Sequence, residues 1–244
     1  MNAKIFSFLV IFSGLFAMNC ANKSSQKENN QSEKEVKEIT QEEVKEKQTM
    51  VLISTSYGNM KAVLYNETPQ HRDNFIKLVK EGYFDGTLFH RVINEFMIQG
   101  GDPDSKTAKK GQQLGQGGPG YTVPAEFNQS LIHKKGALAA ARMGDQMNPQ
   151  KASSGSQFYI THGKTYTDME LSNFESRLGK AFTPLQRETY KSLGGVPFLD
   201  YDYTVFGEVV EGLDIIDKIA QAQKDRSDRP VEDIKMTISI IEEK

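Results

Sequence analysis

The sequence predicts a mainly β fold, a barrel or a sandwich. Three observations lead there. Short apolar runs of four to seven residues recur from Val51 onward. Turn-forming residues, many of them among the chain's 20 glycines, separate those runs. Only two amphipathic helical segments flank them, and the pattern alone does not choose between barrel and sandwich.

Val51 to Tyr57 reads as the first strand and Met60 to Tyr65 as the second, with Gly58-Asn59 as the turn of a hairpin. Thr68-Pro69 opens a helix, since proline suits a first-turn position. Phe75, Leu78 and Val79 give that helix an apolar face, and Gly82 ends it. Further strands are expected at Phe89 to Ile93, Phe96 to Gln99, Gly136 to Ala141, Gln157 to Thr161 and Thr204 to Val210. A second helix follows Gly212 and runs to Ala220, and Val231 to Ile241 alternates as a closing strand. Residues 163 to 197 break the pattern. Thr167-Asp168-Met169-Glu170 has the form of a capping box ahead of Leu171, Phe174 and Leu178. Thr183-Pro184 starts another helix that Gly194-Gly195 ends. This segment reads as a helical hairpin inserted between two strands.

The first 49 residues are different material. Ile5 to Met18 is almost wholly apolar and follows Lys4. As a helix it would span about 21 Å, short of a ~30 Å hydrocarbon core, so a signal peptide fits better than a membrane span. The chain's one cysteine, Cys20, stands where cleavage would expose it. This resembles a bacterial lipoprotein signal over residues 1–19, with Cys20 as the lipidated residue. The alternative is an ordinary secretory signal with an incidental cysteine. Residues 20–49 are rich in Lys and Glu and hold no aromatic residue, so they are expected to form a disordered charged tether. The body, 50–244, is long enough for one sizeable core. The expected location is a bacterial cell envelope, lipid-anchored at the periplasmic side or the outer membrane.

Composition excludes several function classes. Thirty Lys and Arg against 32 Asp and Glu leave a net charge of −2, which gives no electrostatic footprint for nucleic acid. A single cysteine forms no internal disulfide, and no Cys/His spacing suggests a metal site. Gly115-Gln116-Gly117-Gly118-Pro119-Gly120 satisfies a dinucleotide-binding pattern in letters only, since no strand precedes it and no helix start follows. His71, His90, His133 and His162 are scattered, and His90 is expected to hydrogen-bond within the fold.

The function rests on a longer motif. Phe89-His90-Arg91-Val92-Ile93-Asn94-Glu95-Phe96-Met97-Ile98-Gln99-Gly100-Gly101-Asp102 resembles the signature of cyclophilin-type peptidyl-prolyl isomerases. Gly155-Ser156-Gln157-Phe158-Tyr159-Ile160 and Phe198-Leu199-Asp200 with Thr204-Val205-Phe206-Gly207 agree in order and spacing. The resemblance implies an eight-stranded antiparallel cyclophilin-like barrel capped by two helices. It implies a substrate groove on the outer face. The inserted hairpin lies between the Tyr159 strand and the Leu199 segment, so it is expected to overhang that groove, either to select substrates or bind a partner, or as a neutral loop expansion.

The chemistry needs no nucleophile, metal or cofactor, because no bond breaks. Rotation about X–Pro crosses a barrier of ~18–20 kcal/mol set by amide resonance. Catalysis must favour the twisted amide over both planar states. A guanidinium donating to the pyramidal prolyl nitrogen does this, and it keeps its charge. By resemblance Arg91 is that catalytic group, and Gln99 helps hold it and the substrate backbone. Phe96, Met97, Tyr159, Leu199 and Tyr203 match the apolar proline socket. Ala141, Arg142 and Gln157 match groove residues. Tyr159 stands where phenylalanine is commoner and adds a hydroxyl to the pocket wall. Tyr203 stands for the usual histidine. Phe198 stands for tryptophan, which implies weaker cyclosporin binding, because the indole N–H is gone. Proline-containing polypeptides are the implied partners of a monomer. A non-catalytic chaperone or peptide-binding module with the same fold is the competing reading.

Overall fold

The computed structural model describes residues 47–241. The expected signal, Cys20 and all but the last three residues of the expected tether lie outside them. Strands β1 (Met50–Thr55) and β2 (Gly58–Leu64) precede helix α1 (Pro69–Lys80). Strands β3 (Arg91–Ile93), β4 (Met97–Gly100), β5 (Thr122–Val123), β6 (Ala137–Ala140), β7 (Ser153–Ser154) and β8 (Phe158–Thr161) follow. Helices α2 (Asp168–Leu178) and α3 (Pro184–Ser192) come next. Strand β9 (Val205–Glu211), helix α4 (Leu213–Ala220) and strand β10 (Met236–Ile241) complete the order.

Eight strands form one antiparallel sheet in the order β10-β1-β2-β9-β6-β8-β4-β3. Its two edges meet. The amides of Gly86 and Phe89, just before β3, donate to the carbonyls of Met236 and Ile234, and the Met236 amide donates back to Thr87. These bonds tie the segment before β3 to the start of β10 and curl the sheet toward a barrel.

Alternation along the strands decides what lies inside. Successive residues point to opposite faces. Ile98, Leu138, Phe158, Ile160 and Phe206 join the main core with Phe75 and Leu78 of α1 and Ile215 and Ile216 of α4. Their neighbours Met97, Ala137, Ala139, Tyr159 and Val205 form a second apolar cluster on the other face. Both clusters are buried, so these strands read as continuous apolar runs. The helices α1 and α4 are the two expected caps.

The inserted hairpin has a small core of its own, built from Leu171, Phe182 and Tyr190 with Ile132 and Tyr166. Capping boxes open both of its helices: Thr167 with Glu170, and Thr183 with Gln186. Its two ends cross at glycines. A Cβ on Gly163 would lie 2.2 Å from the Gly195 carbonyl oxygen, which no side chain permits.

Two expectations change. The first hairpin turns at Ser56-Tyr57, not at Gly58-Asn59: Thr55 pairs with Gly58, and the Thr55 hydroxyl accepts from the Tyr57 amide. Gly58 is still needed, with φ +132, as the first residue of β2. The last strand starts at Met236, because the chain before it is occupied elsewhere. The Val231 amide donates to Gln223, and Ile234 accepts from Phe89 at the seam.

Candidate active site

Register assembles the site. Arg91 on β3 pairs with Gln99 on β4, Gln99 pairs with Tyr159 on β8, Tyr159 with Ala139 on β6, and Ala139 with Val205 on β9. Directly paired residues share a face, so one row crosses five strands on the outside of the barrel. The neighbouring row, Val92, Ile98, Ile160 and Leu138, faces the core.

At one end of the outer row the Arg91 guanidinium donates to Gln99 Oε1 at 3.2 Å and lies 5.9 Å from the centre of the Phe96 ring. Gln99 Nε2 donates to Gln157 Oε1 at 3.1 Å, and Gln157 Nε2 donates to the Gly117 carbonyl at 2.8 Å. Beside this polar line lies the apolar cluster. Met97 and Tyr159 form its buried floor, and Phe96, Leu199, Tyr203 and Ala141 are partly buried against it. A cation thus stands at the rim of an apolar notch. A guanidinium offers five N–H donors, so Arg91 can serve Gln99 and a ligand at once. A cavity of about 380 Å³ adjoins Arg91 and Gln99 on a polar side lined by Gly115, Arg142 and Arg229.

The residues matched to the groove fall in different places. Phe198 is 45% exposed and stacks on Phe96, with ring centres 5.7 Å apart. Phe174 of α2 packs on Phe198 at 6.2 Å, so the inserted hairpin reaches the site. Ala141 lies one residue past β6, its amide donating to Gln157 and its carbonyl accepting from Ser154. Arg142 stacks on Tyr203 at 4.4 Å and donates to the carbonyls of Asp202 and Met143 and to Asp145.

A profile described as cyclophilin type peptidyl-prolyl cis-trans isomerase/CLD matches residues 50–240. The chain belongs to that family. It is therefore an isomerase acting on X–Pro bonds. A Staphylococcus aureus (strain USA300) protein named for this activity is 35% identical over 208 residues, covering 85% of this chain and 96% of that one. A Streptococcus pyogenes protein, named as bifunctional for phosphatase and isomerase, is 38% identical over 189 residues. That match takes in 75% of this chain and 37% of the longer relative. A solved cyclophilin-type isomerase of Cryptosporidium parvum superposes with a TM-score of 0.59 at 25% identity, over 81% of this chain and all of that one. The cyclophilin fold expected from the motifs is the fold found.

One expectation about a side chain is corrected. The Tyr159 hydroxyl does not line the pocket: it lies 2.9 Å from His133 Nε2, behind the wall. Burial pushes that phenol well above its usual value, with Tyr203 and Asp200 adding to the effect. The glycine run is tied down by Asp102, whose carboxylate accepts from the Gly115 amide at 2.5 Å. A two-residue strand, not a helix, follows it. Among the described residues no group of three or more His, Cys, Asp or Glu could hold a metal ion.

Sequence reasoning missed His133, Asp200 and Tyr190. They come from three separate segments and meet behind Tyr159. Asp200 beside Leu199 was the one local signal, as a buried carboxylate needs donors.

Proposed function

We propose that the chain accelerates X–Pro rotation in exported or envelope polypeptides, with Arg91 stabilising the twisted amide, while a lipid on Cys20 holds it to a membrane. The observation that carries the catalytic part is the Arg91 guanidinium at the rim of the Phe96, Met97 and Tyr159 notch, held by Gln99. The notch takes the pyrrolidine ring by apolar burial. The preceding carbonyl is then free to turn. As the amide twists, its nitrogen loses resonance and becomes a better acceptor. Arg91 then binds that state more strongly than either planar one, and only such differential binding lowers a barrier. The clients and the anchor rest on the sequence: an apolar run ending at Cys20 and a polar stretch before the body.

Following cis-to-trans conversion of a proline peptide tests the arginine. The Arg91→Ala chain is expected to lose about 10²- to 10³-fold in kcat/KM, as for loss of one transition-state donor. An unchanged rate would overturn the role and favour a peptide-binding module. For the anchor, Cys20→Ala is expected to move the protein from the membrane to the soluble fraction of its bacterium. Retention on membranes would reject the lipid.

A further inference from the structure

The inserted hairpin and the proline notch share a buried line of hydrogen bonds. Asp200 is fully buried and follows Leu199 in the chain. Its Oδ1 lies 2.8 Å from both the His133 amide and His133 Nδ1, and its Oδ2 accepts from the Tyr190 hydroxyl at 2.6 Å. A carboxylate accepting on both oxygens leaves the imidazole proton on Nδ1. With the imidazole neutral, His133 Nε2 is then the acceptor for the Tyr159 hydroxyl 2.9 Å away.

The order of donors is thus Tyr159 to His133 to Asp200, with Tyr190 holding the far side of Asp200. The His133 ring stacks on Tyr159 with an interplanar angle of 13°, and Tyr203 meets both rings edge-on. Burial pushes the Tyr190 phenol well up, with Asp200 adding to it, so it stays a donor. Tyr190 belongs to α3 of the insertion and is itself fully buried. Tyr159, in the floor of the notch, is thus joined through His133 and Asp200 to a hydroxyl supplied by the insertion.

We propose that Tyr190 is a positioning residue for substrate binding, fixing the Tyr159 ring in the notch through Asp200 and His133. This rests on the notch being where proline is held. The alternative is that Tyr190 only stabilises the insertion.

A double-mutant cycle separates these. Tyr190→Phe is expected to raise KM at least about two-fold, with a smaller change in kcat, as for coupled members of one network. In the Tyr159→Phe background, where the line is already cut, the same change should leave KM unaltered. An equal effect in both backgrounds, or none in the wild-type background, overturns the proposal. The cycle is read also in the dissociation constant of an Ala-Pro peptide, so failure of the Arg91 mechanism leaves it decisive. Should Tyr190→Phe not fold, the imidazole ¹⁵N shifts of His133 in the unsubstituted chain decide. A proton on Nδ1 with a bare, hydrogen-bonded Nε2 supports the line, and the opposite tautomer overturns it.

Discussion

Gly117 offers Gln157 a carbonyl oxygen, which can only accept. That one fact orients two amides. Gln157 must turn its Nε2 to Gly117, which leaves its Oε1 for Gln99 Nε2, which in turn leaves Gln99 Oε1 for Arg91. The guanidinium is therefore aimed by a backbone carbonyl two side chains away. Gln99→Leu removes the acceptor that holds Arg91 and strands Gln157 Oε1. Losing a hydrogen bond to a charged group costs about 1.5–3 kcal/mol, which as transition-state stabilisation is roughly 10- to 150-fold in kcat/KM. In the Arg91→Ala background Gln99→Leu should cost far less, because nothing remains to aim. A single variant within two-fold of wild type in the proline-peptide assay would show that Arg91 needs no such support.

At the scale of elements, the strands were legible wherever a local rule governed them. The run Met97 to Gly100 and the run Phe158 to Thr161 are apolar at every position but Gln99, Gly100 and Thr161, so their existence could be read directly. Which neighbours they pair with could not, since register is decided by chain segments more than fifty residues apart. The same limit hid β5 and β7, two residues each and separated by residues 124–152, whose pairing has no periodicity to betray it. The inserted helices were legible because caps are local: both Thr-x-x-Glu/Gln boxes form as written. The hairpin turn was misplaced by two residues because Gly58 was read as a turn residue when its positive φ serves the strand start. Arg91, Phe96 and Gln99 lie in one contiguous motif, so their proximity could be read from it. The Tyr190–Asp200–His133 line could not, since it gathers three residues that no spacing rule connects.

Across the whole molecule, folding takes histidines out of water, and that sets a pH dependence. Burial lowers the pKa of His71, with its hydrogen bond to the Glu126 carboxylate partly opposing this, and burial likewise lowers His90 and His162. Each ordinary value is about 6.5 in the unfolded chain. Below that pH the unfolded chain binds protons that the folded chain refuses, so the unfolded state holds more protons and stability must rise with pH. The stability these groups contribute is intact above pH ~6.5 and is lost as pH falls toward their folded values. Glu126 works in the same direction at lower pH. Burial pushes its carboxyl up, but the hydrogen bonds from His71 and Gln70 more than reverse this, and protonating it would break them. Urea unfolding at fixed temperature is therefore expected to show a falling free energy from pH 7 to pH 5. The slope is at most about 1.4 kcal/mol per pH unit for each histidine kept neutral. His90→Leu should flatten the curve, because its removal leaves one proton fewer to refuse. A free energy that stays level or rises on acidification through this window would mean that the folded chain takes up those protons as readily as the unfolded one.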